Sequence, residues 1–327
     1  MKFATLRDGT RDGQLLVVST NGQRAVKATD IAPTLQAALE QWDSVVDALQ
    51  KRYDTLNQGQ CEDAFDVDVD QLESPLPRAY QWLDGSAYLN HVELVRKARG
   101  ATVPDSFYDD PLMYQGGSDT FIGPTQDIVH KTEDWGIDFE GEIAIVTGDV
   151  PYQTTEEEAG QHIRLLMLVN DVSLRGLIPS ELKKGFGFVV SKPPTVFSPF
   201  AVTPDELGDS WRDGKVWLPL EVSYNNEFFG CPEAGDDMVF SFHRLISHVA
   251  ATRPLGAGTI IGSGTVSNKD RSKGSCCLAE KRMIEKIDTG EFVTPFMKFG
   301  DRVRVEMKKD GQSIFGAIDQ KVVKWDG

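Results

Sequence analysis

Asp138-Phe139-Glu140-Gly141-Glu142-Ile143-Ala144-Ile145-Val146 sets three alternate carboxylates directly ahead of an apolar run. Side chains of a strand alternate between its faces, so Glu140 and Glu142 would share one face about 7 Å apart along the chain. Two carboxylates converging on a pocket repel each other unless a cation or a proton lies between them. The segment also reads as the solvent-facing edge of an antiparallel strand.

Outward from this stretch, β signals dominate. They recur in the alternating Val216, Leu218, Leu220, Val222 and Tyr224, in Thr259-Ile260-Ile261, and in Val303, Val305 and Met307. Asn225-Asn226 and Asp310-Gly311 suit hairpin turns. Helical patterns are fewer: one near Phe242 to Ala251, and one from Thr155 to Val169 whose C-terminal half also reads as a strand. Strands without regular helical crossovers predict an α+β fold rather than a doubly wound sheet.

Toward the N-terminus, the β-like runs Leu15 to Val18 and Arg24 to Val26 precede Leu35, Leu39, Trp42, Val46, Leu49 and Tyr53 at helical spacing. Pro33 suits the first turn of that helix, and Asn57-Gln58-Gly59 marks its end. In Glu73-Ser74-Pro75-Leu76-Pro77 two close prolines disfavour both helix and central strand. A boundary there divides the chain into a small N-terminal α+β domain, residues 1–77, and a catalytic domain, residues 78–327.

The 327 residues carry a formal charge of -16, with a pI near 4.8, and no basic footprint for nucleic acid or an anionic membrane surface. Neither is expected as a partner. The N-terminus lacks the apolar run of a signal peptide and no window approaches a membrane span, so the expected location is the cytoplasm. Cys61, Cys231, Cys276 and Cys277 form no Cys-x-x-Cys pair and read as reduced packing residues. An anionic substrate would need cations placed inside the pocket of so acidic a protein.

Those cations have candidates beside further acids. Leu165 to Val169 runs apolar into Asn170-Asp171, which places a carboxylate at a strand end or forms an Asx turn. Arg175 follows Asp171 by four residues, and Lys192 lies in the apolar, proline-rich Val189 to Thr195; each also fits a surface salt bridge. Asp84 sits beside Gly85, a ligand or an ordinary turn, with His91 a short way on, a catalytic imidazole or a surface one. In Ile261-Gly262-Ser263-Gly264-Thr265 a strand breaks into a turn whose amides and Thr265 hydroxyl would meet a carboxylate. That segment lacks the lysine and spacing of a phosphate loop. Asp84, Glu140, Glu142 and Asp171 around a divalent cation leave a charge of about -2, which Arg175 and Lys192 would cancel. Oxygen-only ligands favour Mg²⁺ or Ca²⁺, with Mn²⁺ admissible, over zinc.

The ordered set Glu140-Gly141-Glu142, Asn170-Asp171-Val172-Ser173-Leu174-Arg175, Ser191-Lys192-Pro193, Ser198-Pro199-Phe200 and Gly262-Ser263-Gly264-Thr265 resembles the fumarylacetoacetate hydrolase family. The resemblance implies a mixed β-roll catalytic domain, usually a homodimer, with metal ligands at Asp171, Glu140 and Glu142 and a fourth acid at Asp84. It implies His91 as the water-activating base, Tyr114 as a substrate-contacting tyrosine, and Arg175, Lys192 and Thr265 as the polar binding set. Ile178 stands where the fumarylacetoacetate-cleaving enzymes carry a glutamine, and Ser86 where they carry a tyrosine. Leu278 falls on the place of the acid that partners the histidine, with Glu280 the nearest replacement.

The activity so implied is hydrolysis of a carbon-carbon bond in a small acidic β-diketone, foremost fumarylacetoacetate. Acylpyruvate hydrolases, oxo-acid decarboxylases and isomerases or hydratases share the family. A non-catalytic small-molecule-binding protein is the alternative of another class.

Overall fold

The structure, a computed structural model, describes residues 1–97 and 105–327. Two sheets form an α+β roll. The larger has twelve strands and runs, neighbour to neighbour, from Phe65–Asp66 through Arg24–Lys27, Gln14–Val18, Lys2–Leu6 and Ala201–Val202. It continues with Ile163–Asn170, Gly141–Thr147, Ile260–Gly262, Trp82–Gly85 and Met113–Gln115. Pairing is antiparallel except between Ile260–Gly262 and Trp82–Gly85. The six-stranded second sheet is built on Leu220–Tyr224, Arg302–Lys309 and Ile318–Lys324.

Gly141–Thr147 is buried along its whole length, which explains its unbroken apolar run. Ile143 and Ile145 pack with Leu220, Val303 and Ile318 of the second sheet. Ala144 and Val146 pack instead with Leu35, Leu39, Leu49 and Tyr53 of the N-terminal helices. Strand Lys2–Leu6 pairs with both Gln14–Val18 and Ala201–Val202, so the N-terminal region and the remainder of the chain share one sheet and one core.

Several local expectations change. The single helix expected from Leu35 to Tyr53 is two, Leu35–Glu40 and Trp42–Asn57, broken at Gln41. The break lets Leu39 and Leu49 both reach the core while Trp42 meets Phe3 edge-on. Thr34 caps the first helix, so Pro33 lies just outside it. Between Thr155 and Val169 only Glu156–Ala159 is α-helical, and Ile163–Asn170 is a central strand: burial of its apolar side chains between two layers outweighs the helical spacing. The alternating run from Val216 splits around Pro219, which lacks a donor for a ladder. The Asn225-Asn226 turn joins Leu220–Tyr224 to Glu227–Gly230, and Asp310-Gly311 joins Arg302–Lys309 to Gln312–Ser313; all four turn residues have positive φ. No helix among the described residues is long and apolar enough to cross a membrane.

The large sheet also delivers the acids. Trp82, Ala144, Val146 and Val169 face the N-terminal core. By the two-residue alternation Asp84, Glu142 and Asp171 continue that face at the strand ends. Gly262 lies between them in register with Asp84 and Ala144. A Cβ there would stand 2.4 Å from Asp84 Oδ1 and 2.4 Å from the Trp82 ring. Gly262→Ala should therefore displace the Asp84 carboxylate and lower unfolding free energy by about 1–3 kcal/mol in chemical denaturation.

Candidate active site

A cavity of about 150 Å³ opens at these strand ends, lined by Asp84, His91, Tyr114, Glu140, Glu142, Arg175, Lys192 and Thr265 among others. Every residue that the sequence singled out for chemistry except Asp171 and Glu280 lines it. Those two stand directly behind, bonded to lining side chains.

Asp84, Glu142 and Asp171 are buried, and each offers an oxygen within 4.8 Å of the others. Asp84 Oδ1 accepts the Gly264 amide at 3.0 Å. Asp171 Oδ1 accepts Thr195 Oγ1 at 2.9 Å, while its Oδ2 takes Lys192 Nζ at 2.5 Å and a short bond from the Tyr114 hydroxyl. Glu142 is fully buried and neither of its oxygens has a hydrogen-bond partner. Burial first, then repulsion by Asp171, pushes the Asp84 carboxyl well above its ordinary range. Burial and then Asp84 and Asp171 do the same to Glu142. A hard divalent cation fits this set: three converging oxygen donors, one of them a buried carboxylate without a hydrogen-bond partner.

Glu140 differs from Glu142. It precedes strand Gly141–Thr147 and is engaged by cations, with Arg175 Nη2 at 2.7 Å on Oε1 and Lys192 Nζ at 2.5 Å on Oε2. Burial opposes its ionisation, but Arg175 and Lys192 prevail and hold it below the ordinary carboxylate range. Burial likewise disfavours the Lys192 ammonium, yet Asp171 and Glu140 raise it above its usual value. Of the four expected carboxylates, three converge within 4.8 Å of one another, and the fourth, Glu140, lines the same cavity paired with Arg175 and Lys192.

His91 lies in the first turn of helix Leu89–Lys97, with Nδ1 3.1 Å from Oε2 of the almost fully buried Glu280. Glu280 stands in the first turn of helix Leu278–Thr289 and is buried there. An imidazole that donates Nδ1–H to Glu280 keeps Nε2 as its basic nitrogen, and His91 lines the cavity.

Other residues of the site carry no role in the sequence reading. Asn170 Oδ1 accepts the Glu140 amide at 3.1 Å and so fixes the entry to the acidic strand. Phe188 packs edge-on against Tyr114, and Ile178 makes a further apolar wall. Glu181 accepts the amides of Val189, Val190 and Ser191 and a short bond from the Ser191 hydroxyl, just ahead of Lys192. That hydroxyl bond outweighs desolvation, and with the amides it holds the Glu181 carboxyl at about 2. These contacts cross loops, and only the Ser191-Lys192-Pro193 motif nearby signals them.

Fold and site together define a class of protein: a β-roll with a carboxylate triad at its strand ends, flanked by buried cations and a carboxylate-partnered histidine. The chain belongs to the fumarylacetoacetate hydrolase family: the fumarylacetoacetate (FAA) hydrolase C-terminal domain matches residues 81–323, and the fumarylacetoacetase N-terminal domain 2 matches residues 1–78. It is 27% identical over 200 residues to oxaloacetate tautomerase YisK of Bacillus subtilis, covering 60% of this chain and 62% of that protein. It is 28% identical over 161 residues to 2,4-didehydro-3-deoxy-L-rhamnonate hydrolase of a Sphingomonas species, covering 48% and 53%. The match thus spans less than two thirds of either relative's length. The fold matches the crystal structure of maleylpyruvate hydrolase from Sphingobium sp. SYK-6 in complex with manganese(II) ion and pyruvate, with TM-score 0.65, 17% identity and 99% of each chain covered.

Glu142→Gln should abolish the stabilisation that metal confers on the wild type, about 2.7 kcal/mol at a hundredfold excess over Kd. Without metal the variant should melt at least about 2 °C above the wild type, because an unpaired buried carboxylate has gone. Thermal melts with EDTA and with added Mn²⁺ or Mg²⁺ check both.

Proposed function

We propose that the protein is a metal-dependent hydrolase that cleaves a carbon-carbon bond in a small acidic β-diketone, with fumarylacetoacetate the first candidate. One observation carries the reading: the orphaned Glu142 carboxylate sits in a triad that shares its cavity with a histidine oriented by Glu280.

Asp84, Glu142 and Asp171, with Glu140 as the fourth acid of the set, would hold the cation, Mg²⁺, Ca²⁺ or Mn²⁺; the manganese in the Sphingobium structure supports the last. The cation would supply Lewis-acid polarisation of the dicarbonyl oxygens. His91 Nε2 takes a proton from water as the hydroxyl adds to the acyl carbon, and Glu280 stabilises the imidazolium that results. The carbon-carbon bond breaks, its electron pair passes to the departing carbon as an enolate, and the proton from His91 completes that product.

Arg175 has two donors engaged by Asp138 and Glu140, and its remaining N–H groups serve a substrate carboxylate. Lys192 neutralises the developing oxyanion, and Tyr114 and Thr265 complete the polar lining. The overall negative charge makes these buried cations the source of attraction for an anion.

A second reading keeps the site and changes the reaction. Ile178 stands where the resemblance expects a polarising glutamine, and the Bacillus relative is an oxaloacetate tautomerase. Enolisation or decarboxylation of a short oxo-acid needs no attacking water.

The test is loss of diketone absorbance with fumarylacetoacetate and an acylpyruvate, with EDTA and metal add-back. Metal-restored loss supports hydrolysis; no loss with metal bound moves the assignment to the oxo-acid reading. His91→Asn should lower kcat by about 10²- to 10⁴-fold while leaving metal affinity unchanged in calorimetry. Retained hydrolysis in that variant would remove His91 as the base.

A further inference from the structure

One carboxylate joins the two chemically different halves of the pocket. Asp138 is fully buried in the short strand Ile137–Asp138, paired with Ser173–Leu174. Its Oδ1 accepts the Leu278 amide at 2.8 Å, and its Oδ2 accepts both the Ala279 amide at 2.9 Å and Arg175 Nε at 2.9 Å. Those amides open helix Leu278–Thr289, where unsatisfied N–H groups and the helix dipole favour an anion. Cys277 Sγ accepts the next amide, that of Glu280, at 3.3 Å. The first turn is thereby fixed in height and rotation, and it carries the carboxylate that meets His91 Nδ1.

The same side chain sets the plane of the Arg175 guanidinium. Asp138 holds Nε and Glu140 holds Nη2, so two fixed points orient the guanidinium where Arg175 lines the cavity, with Nη1 left unengaged by either acid. A helix cap alone would not require this geometry. Asparagine caps a helix about as well as aspartate, yet here its NH₂ would meet an N–H donor in either orientation, the Leu278 amide in one and the Ala279 amide with Arg175 Nε in the other, and the charge that pairs with Arg175 would be lost.

We infer that Asp138 is a positioning residue that sets Arg175 and the Glu280–His91 pair in one register, so that anchoring of the substrate's acid group and activation of water depend on one buried side chain. The inference rests on the hydrolytic reading of Arg175 and His91.

The experiment combines kinetics of three variants on the substrate that the wild type turns over with ¹⁵N NMR of the His91 imidazole in substrate-free protein. Ala279→Pro removes one amide donor at a place in the first turn that admits proline and leaves the Arg175 bond intact. It should lower kcat about tenfold with KM little changed, while Arg175→Lys should raise KM about tenfold. Asp138→Asn should do both, for a loss in kcat/KM of about 100-fold. Combining Asp138→Asn with Arg175→Lys should lose less than the product of the separate losses, as coupled residues do. The wild type should show the Nδ1-protonated tautomer and Asp138→Asn a mixture of the two.

Asp138→Asn with both kinetic constants within about twofold of wild type, or losses that multiply independently, would overturn the inference. If Asp138→Asn does not fold, Ala279→Pro decides, and an unchanged kcat with an unchanged tautomer rejects the coupling. If the wild type turns over neither diketone, the hydrolytic reading fails by itself, and the imidazole spectra of the variants still decide the positioning role.

Discussion

Four carboxylates and two cations buried around one small cavity are the constraint on which the rest of the structure depends. Removing a charge from water costs several kcal/mol even after relaxation, and only good pairing offsets it. Arg175 and Lys192 answer Glu140 and part of Asp171. Asp84 and Glu142 keep a deficit that proximity to Asp171 deepens. A divalent cation would compensate this cluster, and the three converging carboxylates could hold one.

The surrounding architecture serves this cluster. Three strands of one sheet end on the same face, each with an acid, and the N-terminal helices cover the remainder of that face. The glycine between the acidic strands leaves room for the Asp84 side chain, and the next glycine turn donates an amide to it. The second sheet packs on the opposite side, so the central strands are held from both sides while their ends remain open to the cavity. Rigid elements thus carry the acids, and the turn and loops that follow carry Thr265 and Lys192.

Much of this was legible in the sequence because it obeys short-range rules. The apolar run behind Glu142, the Asn170-Asp171 strand end and the Gly262 turn announce themselves through alternation and turn chemistry, and the ordered motifs added Tyr114 and His91. What escaped depends on distant pairing. Helix Leu278–Thr289 buries only Leu278, Ala279 and Glu280, all in its first turn, so it shows no apolar stripe to find. Glu280 was therefore only the nearest replacement for an expected acid, and its bond to His91 spans 189 positions. Asp138 read as one more acid in a row, since nothing local reveals that it meets a helix end and an arginine. The break at Gln41 likewise reflects packing on Phe3 rather than any helix-breaking residue.

The most direct test of the central claim is a crystal structure of the protein grown with Mn²⁺, read by anomalous scattering at the manganese edge. The account predicts one strong peak per chain, within ligand distance of Asp84, Glu142 and Asp171. A fully occupied peak elsewhere, or none at saturating metal with the triad carboxylates ordered, would contradict it.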